Sequence, residues 1–534
     1  MISNTTFPRW AGFATLGFIT LLSGCHSYKR PLPPHEAPSA YLQELENLRR
    51  REQQQQLEMD RNDFTPLQPN PFQLVSDAPL STFSIDVDTA SYSIVRKYLE
   101  QGRMPPQDAV RVEEMLNYFE YDYPEPEGEE PMALQLDLAP CPWRPANHLL
   151  RVALKGRELP SEERPPLNLV FLLDVSGSMK EANKLPLVKR SMKALLSKLD
   201  HQDRVAIVAY SGQARLVLRS SPGHQKRQIE AAIDSLQAGG RTAGSAGIDL
   251  AYQVAEAQFM PGGVNRVVLC SDGDFNVGKR NQRQLADFIQ DQAGNGVELS
   301  VLGFGMGNLK DGRLESLSAH GQGNYAYINS YQEAHNVLVE QLLGTLVTLA
   351  KDVKIQIEFN PSHVSAYRLI GYENRELHQA DFNDDRVDAA EMGAGQRVTA
   401  LYELVPPGVG VPQSYAAVDA LKYKAIPKPA DPVRDQEILT VKLRYKAEGE
   451  SRSTRREQVL PATALGENAF IHDSEFRFAS AVAAFGQYLQ DDSFRFAMPL
   501  ETISDMASSS RGKDPLGHRS EFLKLVRSAS SLQP

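Results

Sequence analysis

Two acids and three hydroxyls draw attention because each follows a segment whose pattern marks the end of an element. Asp174, Ser176 and Ser178 lie in Asp174-Val175-Ser176-Gly177-Ser178-Met179, directly after an almost unbroken apolar run from Leu167 to Leu173. Thr242 comes just after the double glycine Gly239-Gly240. Asp272 sits in Ser271-Asp272-Gly273, after a second apolar run from Arg266 to Cys270. All five are hard oxygen donors, with no His or Cys among them. Such a set suits Mg²⁺, with Mn²⁺ or Ca²⁺ as alternatives; Mg²⁺ takes an octahedron of oxygens at about 2.1 Å and keeps some of its waters. A zinc site, built on nitrogen and sulfur, is not what these residues would make.

The elements that must position these groups read as alternating strands and helices. The run 167–173 has the continuous apolarity of a strand buried on both faces. Leu185, Val188, Met192, Leu195 and Leu199 form a helical stripe. A strand over 204–210 and a short edge strand over 214–218 follow. Helices are expected around Ile229 and Ile233, then around Ile248 and Val254. After the strand 266–270 come a helix through Leu285 and Phe288 and strands over 297–303 and 324–328. The order predicts an α/β fold with a doubly wound, mostly parallel sheet. Ligands of such sheets sit beyond the carboxyl ends of the strands, where all five oxygen donors fall.

In that setting the pattern resembles the metal-ion-dependent adhesion site of von Willebrand factor A domains. Asp-x-Ser-x-Ser after the first strand, Thr after the double glycine and Asp after the fourth strand are all present, in order. The resemblance implies that Ser176 and Ser178 coordinate directly and that Thr242 moves in and out of the coordination sphere. It implies that Asp174 and Asp272 bind directly or through water. It leaves one position for an Asp or Glu of a protein partner.

Competing chemistries fit less well. Gly273-Asp274-Phe275-Asn276-Val277-Gly278-Lys279 matches most of a phosphate loop, but Arg280 replaces the Mg²⁺-binding Ser or Thr, and Asp272 and Asp274 would repel phosphates, so no nucleotide is expected. Gly303-Phe304-Gly305-Met306-Gly307 lacks the third-glycine spacing of a dinucleotide turn. Neither Ser176 nor Ser178 has the glycines two before and two after that a nucleophile elbow needs. The formal net charge of -10 disfavours nucleic acid as a partner.

The N-terminus carries an address. Arg9 precedes an apolar run from Trp10 to Leu22, short of the roughly 20 residues that span a bilayer but suited to a secretory signal. Leu22-Ser23-Gly24-Cys25 resembles a bacterial lipobox, which implies lipidation of Cys25 and a membrane anchor. His26, rather than Asp, implies sorting to the outer membrane, facing the periplasm.

The expected layout is a signal peptide over 1–24, a Pro- and Gln-rich tether over 25–70 and an α+β region over 71–165. The von Willebrand factor A domain follows over 166–350, with a β-rich domain with terminal helices over 351–534. The central domain is expected to be inserted in, or flanked by, a β-sandwich drawing strands from both sides, because the two strands between 133 and 154 are too few to stand alone. A helix is expected over 337–349. Asp86 and Asp88, before a helix, read as caps rather than metal ligands. Asp381, Asp384, Asp385 and Asp388 read as a solvated loop. Cys141 and Cys270 are the thiols left after lipidation, and their spacing leaves pairing open.

The whole arrangement resembles a family of bacterial von Willebrand factor A lipoproteins with an N-terminal extension and a C-terminal domain. The expected function is a non-enzymatic, cation-dependent protein-binding module on the envelope. An envelope hydrolase using a Ser or the metal, and a purely structural scaffold, are the alternatives.

Overall fold

The computed structural model describes residues 62–160, 162–240, 245–273, 281–305, 309–341, 344, 346–412, 436–447, 449–450, 452–494 and 498–532. The signal peptide, Cys25 and most of the tether lie outside these residues, as does Thr242.

In chain order the first elements are β1 (Gln73–Leu74), β2 (Leu80–Ser84), α1 (Ala90–Glu100), α2 (Val112–Asn117), β3 (Met132–Pro140) and β4 (His148–Gly156). The central region follows with β5 (Leu167–Asp174), α3 (Leu185–Leu195), β6 (Arg204–Tyr210), β7 (Ala214–Pro222), α4 (Lys226–Asp234) and α5 (Ser245–Glu256). It continues through β8 (Val264–Ser271), α6 (Gln282–Gly294), β9 (Glu298–Phe304), α7 (Asp311–His320), β10 (Tyr325–Ile328) and α8 (Tyr331–His335). Then come β11 (Thr348–Phe359), β12 (Ala366–Ile370), β13 (Met392–Gly393), β14 (Arg397–Val405), β15 (Glu437–Ala447) and β16 (Thr454–Pro461). Helices α9 (Ser474–Leu489), α10 (Leu500–Ser509) and α11 (His518–Ser531) close the chain.

The central six strands form one sheet in the order β10-β9-β8-β5-β6-β7, parallel except for the antiparallel edge strand β7. β5 lies in the middle, which explains its unbroken apolarity. Leu169, Phe171 and Leu173 enter the core on one face, with α3 and α4. Val170 and Leu172 enter the core on the other, with α5, α6 and α7.

Strands before and after this sheet close on each other. One flanking sheet runs β1-β12-β14-β4-β3, and Leu154 of β4 stands opposite Val398 of β14. The second joins β13, β11, β15 and β16, with β2 paired to β11. Phe83, Val152, Leu154, Ile355, Tyr402 and Val441 share the core between the two sheets. The far side of β4 is covered too. Leu149 and Ala153 pack with Met115 of α2 and with Phe476 and Phe485 of α9. Arg151 on that same face is buried and paired with Asp137 and Asp473. β4 is therefore buried on both faces although its sheet is antiparallel.

Several expectations need correction. The chain is already packed before residue 71: Asp63 bridges to Lys310, and Asn70 is buried, donating to the carbonyls of Leu369 and Gly371. Residues 62–70 therefore belong to the folded body rather than to the tether. The helix expected over 337–349 is corrected only at its end: α8 continues as one π-turn over Asn336–Glu340, residues 344 and 346 are helical, and β11 begins at Thr348. Asp86 and Asp88 are not caps of α1, whose N-cap Thr89 makes no side-chain bond. They accept instead from Arg375, at 3.1 Å and 3.3 Å. The acidic loop is largely solvated as expected, with Asp384 on exposed Arg386 of the same loop, but Asp385 is tied to Arg444 of β15.

Candidate metal centre

The parallel register sets the centre. Leu173 of β5 stands beside Cys270 of β8, so the strands deliver Asp174 and Asp272 to the same carboxyl edge. On the other side Asp174 stands opposite Tyr210, the last residue of β6. Three of the expected oxygen-bearing residues are buried: Asp174 at 0%, Ser176 at 2% and Asp272 at 1% exposure. Ser178, at the start of a short 3₁₀ turn over Gly177–Lys180, is exposed and forms the mouth.

The loop after β5 folds back onto its own acid. The Ser176 backbone N–H donates to Asp174 Oδ1 at 2.8 Å, and the hydroxyls of Ser176 and Ser178 lie 2.9 Å apart. The Tyr210 hydroxyl donates to Asp174 Oδ2 at 3.3 Å. The glycine turn is tied to this loop by two backbone bonds, Gly177 N–H to the Gly240 carbonyl at 3.1 Å and Gly239 N–H to the Val175 carbonyl at 2.8 Å. Gly240 has φ +89°, where a side chain would be strained. Thr242 itself lies outside the described residues.

Burial pushes the Asp174 carboxyl up to about 6, against the hydrogen bonds from Ser176 and Tyr210 and with help from the nearby Asp272 charge. The Tyr210 phenol is also pushed up, first by burial and then by Asp174. Two acids held together in a dry edge carry more negative charge than the one lysine there balances. Asp272 Oδ2 has a partner in Lys184 Nζ at 3.1 Å. Asp272 Oδ1 is buried with no hydrogen-bond partner among the described residues. A buried, unpaired carboxylate oxygen is costly, and a bound cation is one remedy. The donor chemistry fits a hard divalent ion. No group of three or more His, Cys, Asp and Glu is placed to hold a metal ion among the described residues, so whatever the edge holds would rest on hydroxyls as well as its two acids.

Sequence reasoning missed Lys184 and Tyr210. Tyr210 could have been found as the polar end of an otherwise apolar strand. Lys184 had a weaker signal, a charge immediately before the buried stripe that opens at Leu185. Among the decoys, Gly303 and Phe304 end β9, and Gly305 is a left-handed turn at φ +77° lying against Lys184. Residues 274–280 and 306–308 lie outside the described set. Cys141 and Cys270 are both free and buried, in separate cores.

This geometry defines a von Willebrand factor type A domain protein, and residues 168–341 match that domain family. Residues 58–151 match a family described as von Willebrand factor, and residues 344–532 match the C-terminal domain of uncharacterized protein YfbK. The YfbK protein of Escherichia coli (strain K12) is 41% identical over 470 residues, covering 87% of this chain and 80% of that one. The chain belongs to the YfbK family. Inter-alpha-trypsin inhibitor heavy chain H4 of Homo sapiens is 29% identical over 150 residues, 26% of this chain and 16% of that one. A solved von Willebrand factor type A structure from Catenulispora acidiphila aligns at 15% identity and TM-score 0.41, covering 77% of this chain and 91% of that one.

Proposed function

We propose that this protein is a lipid-anchored, divalent-cation-dependent protein-binding module of the bacterial envelope, working through the carboxyl edge of its central sheet and not as an enzyme. The observation that carries the reading is the convergence of Asp174, Ser176, Ser178 and Asp272 on that edge, with Asp272 Oδ1 buried and unpartnered among the described residues. These four residues would hold the ion, joined by Thr242 on the resemblance of its position. Mg²⁺ suits the donors best, with Mn²⁺ or Ca²⁺ as alternatives. When bound, the ion offers an electrophilic position for an Asp or Glu of the protein partner.

The chain's own residues do the rest. Ser176 N–H and Tyr210 OH orient Asp174, the backbone bonds to Gly239 and Gly240 fix the rim, and exposed Ser178 places its hydroxyl where a partner arrives. The anchor is Cys25, and His26 after it implies the outer membrane facing the periplasm. No helix among the described residues is long and apolar enough to cross a membrane. The test is capture of partners from envelope extract on the full chain in Mg²⁺, in EDTA, and in Mg²⁺ with Thr242→Ala. Capture is expected in Mg²⁺ alone, with Thr242→Ala weakening the partner more than the metal. Equal capture in all three would mean that the partner docks elsewhere.

A further inference from the structure

Lys184 occupies an odd place. It is the N-cap residue of α3, where Ser, Thr, Asp or Asn is favoured and where a cation faces the positive end of the helix. It makes no side-chain cap bond there. Its backbone is fixed, donating to the Glu181 carbonyl at 3.0 Å and accepting from Val188 N–H at 2.9 Å. Yet the residue is only 5% exposed, with its ammonium on Asp272 Oδ2 at 3.1 Å. The path for its stem is open because residue 305 is glycine: a Cβ there would collide with Lys184 Cγ, Cδ and Cε. A buried lysine at the wrong end of a helix, threaded past a glycine to one carboxylate, is explained by that carboxylate.

Resting on the metal reading above, we infer that Lys184 is a built-in counter-cation of this centre that weakens its hold on the divalent ion until a partner carboxylate arrives. The two acids alone would neutralise a divalent ion. With the ammonium fixed on one of them, the edge carries one negative charge fewer, and a loaded site is left with a net positive charge. Repulsion between ammonium and ion is strong in a buried setting, and one incoming carboxylate cancels the excess. Oδ2 is the oxygen given to Lys184, and Oδ1 is left for the ion. Metal retention and partner binding are then linked, each strengthening the other by the same factor.

The test is calorimetric titration of the full chain with MgCl₂, for wild type, Lys184→Met and Lys184→Gln, with melting curves in EDTA. Loss of the ammonium is expected to tighten Mg²⁺ binding by about tenfold or more and to lower the melting temperature in EDTA, since Asp272 then has neither oxygen paired. Folded variants that bind Mg²⁺ no more tightly than wild type would overturn the inference while leaving the metal reading intact. Absence of binding by wild type and both variants would overturn the two together. Should the variants not fold, amine acylation of wild type in EDTA decides. Lys184 should resist modification while exposed Lys180 reacts, and equal labelling of the two would overturn the inference.

Discussion

The centre at the carboxyl edge of the central sheet and the ion network that fixes the flanks to that sheet are both built from buried charges, but they are satisfied in opposite ways. At the edge, one lysine pairs with Asp272 Oδ2 and none with Asp174, and Asp272 Oδ1 has no partner among the described residues. In the network, Arg111 of the N-terminal region meets Glu114 at 3.1 Å, Asp311 at 2.5 Å and Glu315 at 3.1 Å. Tyr325 OH donates to the other oxygen of Asp311 at 2.8 Å, and Arg375 reaches Asp86, Asp88 and Glu315. Arg96 of α1 joins Glu333 of α8 at 2.5 Å and Glu521 of α11 at 3.0 Å. One region keeps positive charge in deficit, as the proposed cation site would. The other holds three parts of the chain in register. The comparison says that a mutation's cost in stability and its cost in function should separate by region.

The largest expected effect is in the network. Arg111→Ala leaves Glu114 and Asp311 buried without their cation and Glu315 with Arg375 alone, and breaking a buried pair from one side costs about 3–5 kcal/mol. Urea denaturation of the full chain should show that loss, and a change below about 1 kcal/mol would mean that the network is not what holds the regions together.

Glu113, the neighbour of that arginine on α2, sharpens the comparison through pH. It is fully buried, neither carboxyl oxygen makes a well-formed hydrogen bond to a described residue, and burial with nearby Glu373 pushes it up to about 8. Its folded value lies above the unfolded one, so the folded state binds the proton better. The contribution of Glu113 to stability should be full below pH 4.5 and should fall as pH rises toward 8. Glu373, itself pushed up to about 7, titrates with it as a pair. Glu113→Gln should flatten the decline, recovering about 2–4 kcal/mol at pH 8.5 and little at pH 4.5. Parallel stability-against-pH curves for the two proteins would reject the assignment.

The same contrast explains what the sequence made legible. The centre was readable because its parts are local: Asp174, Ser176 and Ser178 fall within one turn, and Asp272 ends a strand whose apolar run is unmistakable. The parallel central sheet was readable for the same reason, through alternating periods of strand and helix. The network was invisible, since Arg111 and Asp311 lie 200 residues apart and nothing in either neighbourhood announces the other. Asp86 and Asp88 looked like caps because local rules were the ones at hand, whereas their partner, Arg375, arrives from the far side of the central domain. The end of the helix expected over 337–349 was misplaced because Leu346-Val347-Thr348-Leu349 is too short a run to show a period that tells helix from strand. Lys184 falls between the two cases, local to the loop but paired 88 residues away.

Metal should act on the edge alone. At a hundredfold excess over its dissociation constant, Mg²⁺ should stabilise the full chain by about 2.7 kcal/mol, and Asp174→Ala should abolish that gain. Arg111→Ala, if folded, should keep it. Melting curves with and without Mg²⁺ for the three proteins check this, and a response that survives Asp174→Ala would place the ion elsewhere.

Ser178→Ala should give the smallest change in stability and so the sharpest separation of the two costs. The side chain is exposed, its one bond is a shared hydroxyl contact with Ser176 at 2.9 Å, and the 3₁₀ turn it begins is held by backbone bonds that alanine preserves. Exposed substitutions of this kind stay within about 0.5 kcal/mol. The hydroxyl is nonetheless one of the few donors at the mouth, and its loss removes a ligand that no neighbour can replace, since Ser176 and Asp174 are already committed to the floor. Unfolding in EDTA should therefore be unchanged, while the Mg²⁺ concentration needed for half the stabilisation rises by about tenfold, the equivalent of about 1.4 kcal/mol. Loss of stability in EDTA without loss of metal affinity would reverse the assignment, making Ser178 part of the scaffold and leaving the edge with three donors among the described residues.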